Sequence, residues 1–174
     1  MEYEFTLKFK LPAIEINADA VLERLGEHGC TDALVGLGQS GYIGLDFVRE
    51  AQSAEAALLS AIDDVRQAVP GAILVEAGPD FVGLTEVADV VGQSRQNMRK
   101  LMLSSSHRFP SPIHSGSSSV WHLAHVLEFM RERNYEFSST VFDVARTTMQ
   151  INIVKEQPLL DARFAASLQQ RLHA

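Results

Sequence analysis

The chain of 174 residues holds one cysteine, Cys30. It can therefore form no internal disulfide, and thiolates cannot build a structural zinc site. No apolar run approaches the about 20 residues that a membrane-spanning helix needs. The opening Met1-Glu2-Tyr3-Glu4 is acidic and lacks the basic and apolar regions of a secretory signal, so the expectation is a soluble, cytoplasmic protein without membrane attachment. A phosphate-binding glycine loop and a nucleophile–base motif are also missing, so neither an enzyme nor a bound cofactor is expected. The most informative absence is of one charge sign. Residues 93–125 contain no aspartate or glutamate.

What is present is ordinary globular composition. Apolar residues make up 46% and charged residues 21%, which excludes a disordered or fibrous chain and leaves one compact domain or two small ones. The net charge of −7 is unevenly spread. Residues 1–92 carry 5 Lys/Arg against 16 Asp/Glu. Residues 93–125 carry Arg95, Arg99, Lys100 and Arg108, with His107, His114, His122 and His125 besides. Residues 126–174 balance at 6 of each sign. A carboxylate-free stretch within an acidic protein is a local electrostatic footprint for a polyanion.

The first 78 residues read as alternating strands and helices. Tyr3, Phe5, Leu7, Phe9 and Leu11 alternate with Glu4, Thr6, Lys8 and Lys10, the period of a strand with one face on a core. Asn17 is placed as N-cap of a helix carrying Val21, Leu22 and Leu25 and ending near Gly29. Residues 33–37 and 42–48 read as strands joined by a hairpin through Gly38-Gln39-Ser40-Gly41. Ser53 caps a helix with Leu58, Ile62, Val65 and Val69 on one stripe, and Pro70-Gly71 ends it. Residues 72–76 close the series. Strand–helix–strand–strand–helix–strand is the split βαβ order of a ferredoxin-like sandwich, so the fold class expected is α+β. A domain of this kind (residues 1–78) could serve dimerisation, sensing or partner docking.

From Leu84 the pattern changes. Thr85 is placed as cap of a short helix with Val87, Ala88 and Val91 inward; Gly92 makes a turn; Ser94 caps a second helix with Met98, Leu101 and Met102 facing back. Small Ala88 allows two helices to cross closely, and the arrangement is helix-turn-helix. Phe109-Pro110-Ser111-Pro112 is stiff and extended. Ile113-His114 and Val120-Trp121 then flank a serine-rich turn as a short hairpin, and residues 122–131 return to helix. Residues 79–133 thus make a small winged helix-turn-helix domain.

The run from Leu84-Thr85 through Gly92-Gln93-Ser94-Arg95 resembles the opening of excisionase-type and MerR-type winged helix-turn-helix proteins. Phe109-Pro110-Ser111-Pro112 followed by Val120-Trp121 is similar to the wing of that group. The resemblance covers residues 80–133. It implies a sequence-specific reader of double-stranded DNA, such as a bacterial or phage-type transcriptional regulator. Where many relatives carry Arg after the wing tryptophan, this chain has His122, a weaker phosphate contact when neutral.

In such a domain the helix at 94–103 enters the major groove. Arg95, Gln96 and Asn97 suit base edges, and Arg99 and Lys100 suit phosphates. Thr85 and Ser94 free backbone N–H groups at helix starts. His114, Ser115 and Ser117 would follow the backbone from the wing, and Trp121 would anchor the wing to the core through its ring and N–H. His122 and His125 stand three apart with no nearby Cys and no carboxylate until Glu128, and no metal site is expected.

At the C-terminus (residues 134–174), Ser139 or Thr140 would cap a helix bearing Val141, Val144, Ala145 and Thr148. Beyond Pro158, Leu160, Phe164, Leu168 and Leu172 recur every four residues. Such a stripe either packs on its own domain or pairs with a second copy, and a homodimer is expected because one winged domain reaches few bases. The other reading is a protein-interaction module, an adaptor or inhibitor acting through its acidic first half.

Overall fold

The computed structural model describes residues 1–13, 17–38 and 41–172. It is α+β. The first half contains β1 (Glu2–Lys10), α1 (Ala18–Glu27), a 3-10 turn (Cys30–Asp32), β2 (Ala33–Leu37), β3 (Tyr42–Glu50), α2 (Ala54–Ala68) and β4 (Ile73–Gly78). The strands form one antiparallel sheet in the order β2-β3-β1-β4. The expected alternation of β1 is present: Tyr3, Phe5, Leu7 and Phe9 are buried, and Glu2, Glu4, Lys8 and Lys10 are exposed. Asn17 caps α1 by accepting from Asp19 and Ala20 N–H, and Ser53 caps α2 by accepting from Ala56 N–H. Gly29, φ +95°, takes the left-handed turn after α1 that a residue without Cβ adopts freely. Of the hairpin between β2 and β3, Gln39 and Ser40 lie outside the described residues.

Arg49 points into this half from β3 and is only 8% exposed. Its Nε and Nη2 donate to Asp32 Oδ2 and Oδ1 at 2.7 and 3.0 Å, and Nη2 also reaches Gly29 O at 3.1 Å. Nη1 donates to Asp64 Oδ2 at 2.8 Å and Ser60 Oγ at 3.0 Å. One guanidinium thus ties the 3-10 turn to β3 and α2. Its hydrogen bonds to Asp32 raise its pKa above the ordinary range, against the opposing effect of burial. Cys30 lies beside this knot. Burial first, and Asp64 second, push its thiol from an ordinary 9.0 up to about 11.

The second half contains β5 (Phe81–Val82), α3 (Leu84–Val90), α4 (Arg95–Ser104), β6 (His114–Ser115), β7 (Ser119–His122) and α5 (Leu123–Arg131). β5 was not among the expected strands. It pairs with β7, so the hairpin expected as a wing belongs to a three-stranded sheet in the order β5-β7-β6. Two caps also differ from expectation. Gly83, not Thr85, is the N-cap of α3, and its N–H is satisfied by Glu86 Oε2 at 3.0 Å, so Thr85 lies inside the first turn. Ser138, not Ser139 or Thr140, caps α6 (Ser139–Val154), accepting from Thr140 N–H at 3.3 Å.

α6 belongs to both halves. Val144 is buried in the core of the first sheet with Ile151 against it, while Phe142 and Ala145 are buried with α3, α5 and the wing. The last helix, α7 (Ala162–Leu172), buries none of its residues. No helix among the described residues is long and apolar enough to cross a membrane.

Two outcomes test the first core. Arg49→Met strands the Asp32 and Asp64 carboxylates. Denaturant unfolding should show a loss of about 2–4 kcal/mol, below the about 3–5 kcal/mol of a fully buried pair because both carboxylates keep some water. For Cys30 the folded chain holds the thiol proton more tightly than the unfolded chain. Its contribution is therefore complete below pH 9 and is lost as the pH rises toward 11. Unfolding midpoints at pH 8 and pH 10.5 should fall less in Cys30→Ala than in the parent chain.

Candidate nucleic-acid interface

The helix pair is built from its small residues outward. Ala88, buried on α3, lets α4 approach, and its carbonyl accepts from Gln93 N–H at 2.8 Å across the turn. Gly92 adopts φ +63°, the conformation that reverses the chain there at least cost. Ser94 Oγ then accepts from Asn97 N–H at 3.1 Å and starts α4. Met98 is buried, with Leu101 and Met102 half-buried beside it. The 3.6-residue repeat turns Arg95, Gln96, Asn97, Arg99 and Lys100 out to solvent. Among the described residues no ion pair engages Arg95, Arg99 or Lys100.

The three-stranded sheet stands beside this helix. Trp121 is buried, its Nε1–H donates to Pro110 O at 3.0 Å, and Phe109 meets its ring edge-on at 6.0 Å. Phe109 also contacts Phe129 of α5 at 5.1 Å, so the stiff 109–112 segment, the wing and α5 share one aromatic cluster. His114, Ser115 and Ser117 are exposed on the outer strand and its turn. The His114 ring folds over Gly116, where an added Cβ would stand 2.7 Å from Nε2.

Between α3, α4 and the wing lies an open cleft of about 500 Å³. It brings together Thr85, Arg95 and Ser117 of the expected contacts, with Glu86, Met102 and Trp121 also in its wall. Gln96, Asn97, Arg99, Lys100, His114 and Ser115 do not line it. The sequence reading missed a second recess. Ser104, Ser105, Ser106, His107 and Arg108 meet Arg133 around about 370 Å³ beyond the end of α4, without a carboxylate. The serine run and Arg108 were visible in the sequence; Arg133 arrives from the turn just past α5.

His122 is not available to a phosphate as expected. It caps α5, is nearly buried, and its Nδ1–H donates to Asp80 Oδ1 at 2.7 Å. Asp80, 1% exposed, receives a second bond at Oδ2 from Asn152 Nδ2 at 2.9 Å. The same Asn152 amide pairs with the end of β4, accepting from Ala77 N–H at 2.9 Å and donating to Ala77 O at 2.8 Å. Thr148 Oγ1 donates to Pro79 O at 2.8 Å, and Leu123 N–H donates to Asp80 O at 2.8 Å. α6 is thus joined by side-chain hydrogen bonds to the segment that enters the wing.

No protein-family model, curated protein or solved structure matches the chain. Geometry and chemistry therefore carry the functional reading.

The Asn152 junction can be tested without touching the exposed face of α4. Asn152→Leu leaves both Ala77 backbone groups and one Asp80 oxygen buried without their partner. At about 1–3 kcal/mol for each group stranded, unfolding should show a total loss of about 3–5 kcal/mol, since relaxation readmits some water.

Proposed function

We propose that this chain is a sequence-specific double-stranded DNA-binding protein, a transcriptional regulator acting as a homodimer. In this reading β1–β4 with α1 and α2 form a ferredoxin-like sandwich. Its support is the strand order β2-β3-β1-β4 with helical crossovers between β1 and β2 and between β3 and β4. Helices α3 and α4 form the helix-turn-helix, β5–β7 form the wing, and α4 enters the major groove. The observation that carries the proposal is the exposed face of α4. It presents three cations free of ion pairs among the described residues, two carboxamides and no carboxylate, in a chain with seven more acidic than basic residues. Here Arg95, Arg99 and Lys100 stay outward with Gln96 and Asn97, which is the donor set that meets guanine, adenine and phosphate.

In this reading the labour is divided along α4. Arg95, Gln96 and Asn97 occupy the first turn of α4, the part of a recognition helix that reaches base edges. Arg99 and Lys100 lie one turn further along the same helix and are assigned to the flanking phosphates. Thr85 and Ser117 line the same cleft as Arg95, and His114 and Ser115, exposed on the hairpin, would extend the contact.

Two measurements decide the reading. With about four to eight basic contacts per dimer, the logarithm of the binding constant should fall against log salt with a slope of roughly −4 to −7. Gln96→Ala or Asn97→Ala should cost about 1–3 kcal/mol on the site selected from random DNA and little on other sequences. Lys100→Ala should weaken both equally and make the slope shallower by about one. No retention on duplex DNA at low salt removes the reading. Equal loss on all sequences in every variant removes the assignment of base readers.

A further inference from the structure

We propose that β2 of one copy pairs antiparallel with β2 of a second copy, joining the two four-stranded sheets edge to edge. This pairing rests on the reading of the chain as a homodimer and names the surface that makes it. The sheet has two edges, and they differ. At the β4 edge, the Asn152 amide of α6 holds both backbone groups of Ala77, at 2.9 and 2.8 Å, and the β1–β4 register shifts between Lys8 and Phe9. A covered and irregular edge offers no row of free N–H and C=O groups. At the other edge, β2 is paired with β3 alone among the described residues, in an unbroken register over all five of its positions. Ala33-Leu34-Val35-Gly36-Leu37 contains no charge and no proline, and Leu34 is 75% exposed. None of the devices that keep an edge strand single is present, and such an edge pairs with another strand.

The strand is its own complement, which makes the partner a second copy. Laid antiparallel with Val35 opposite Val35, Leu34 of each copy faces Gly36 of the other, and Ala33 faces Leu37. Every leucine thus meets a residue with a small side chain or none. Ala33 and Val35 pack on the core, so Leu34 and Gly36 lie on the opposite face, where Gly36 is in register with Gly44 of β3. These two glycines leave a hollow of about 440 Å³ bordered by Lys8, Tyr42 and Val75. A Cβ at Gly36 would meet only Gly44 O, at 3.8 Å, and one at Gly44 would meet nothing within 4 Å. Leu34 of the partner fills that space. The neighbouring registers that keep the same facing pair only three residues, and they set Leu34 against Leu34 or Gly36 against Gly36.

Symmetry and charge agree with this pairing. Two identical antiparallel strands are related by a two-fold axis through their centre, here at Val35 and perpendicular to the sheet, so both cores lie on one side of the joined sheet. Five residues on each side supply about four to six main-chain hydrogen bonds. The β4 edges at the two ends are held by Asn152, so the assembly stops at two copies. Two acidic halves also meet here without an unpaired carboxylate on either strand. The nearest carboxylate along the chain, Asp32, already accepts two hydrogen bonds from Arg49, at 2.7 and 3.0 Å.

Opposite charges placed at one exposed position test the pairing. In the joined sheet the two copies of residue 34 are diagonal neighbours, about 7–8 Å apart. Leu34→Lys and Leu34→Glu each put like charges there, and each should weaken the dimer about tenfold in sedimentation while leaving the chain folded. An equimolar mixture of the two variants should regain the dimer, because the diagonal pair then carries opposite signs. The register is read by cross-linking in a Cys30→Ala background. Val35→Cys should join two copies on oxidation and Leu37→Cys should not, since only position 35 meets its own copy. If both charged variants stay fully dimeric, or if their mixture regains nothing, β2 is not the interface. If Val35→Cys fails to cross-link, the register centred on Val35 is wrong. A monomeric parent chain removes both the homodimer and the strand pairing, while its binding to DNA is decided separately by the salt slope.

Discussion

The buried carboxylate of Asp80 is the point on which the two halves of the molecule depend. It has no exposed side-chain surface, and its two oxygens are claimed from opposite directions by Asn152 of α6 and His122 at the start of α5. A carboxylate removed from water is costly unless hydrogen bonds replace the lost solvation, so the groups that supply them cannot drift away. Asn152 is itself fixed to both backbone groups of Ala77, and the Asp80 carbonyl receives the N–H of Leu123. The end of β4, the entry to the wing and the starting point of α5 are thereby set by one connected polar network. Apolar packing alone tolerates sliding; directional hydrogen bonds at a buried point do not. Among the described residues no buried side-chain nitrogen or oxygen lacks a partner.

The same helix that carries Asn152 makes the two cores one body. Val144 lies in the core beneath the four-stranded sheet, and Phe142 and Ala145, within one turn of it, lie in the core beneath the wing. A division of the chain at residue 78 therefore describes the order of elements and not two independent packings. α7 is the contrast: its apolar stripe is as regular as that of α2, yet it finds no core within the chain. Regular spacing says that a helix has an apolar face, and only the surrounding chain decides whether that face is covered.

What could be read from the sequence was what is local. The alternation of β1, the stripe of α2 and the caps at Asn17, Ser53 and Ser94 depend on neighbours within a few residues, and so does the outward placement of Gln96, Asn97 and Lys100. β5 escaped because two residues, Phe81 and Val82, are too few to show a period; only pairing with β7 some 40 residues on makes them a strand. Thr85 was mistaken for a cap because its hydroxyl is the better capping group, whereas Glu86 reaches back to Gly83 and sets the start two residues earlier. Among the three adjacent hydroxyls at 138–140, composition offers no choice, and the turn geometry selects Ser138. Arg49, Asp80, His122, Asn152 and Arg133 have partners 11 to 75 residues away or lie in a recess assembled at the ends of two helices. No local pattern marks them.

These long-range contacts also explain how the charge pattern works. Arg49 is the cation of the acidic half that is withdrawn from the surface, so that half shows its carboxylates outward with little to offset them. A duplex approaching the molecule would be repelled by the sheet and attracted by α4 and the recess of Arg108 and Arg133, and the field alone would favour one orientation before any base is touched. Under the proposed reading, affinity for DNA in so acidic a chain would be a matter of where its cations are left unpaired, not of how many it has.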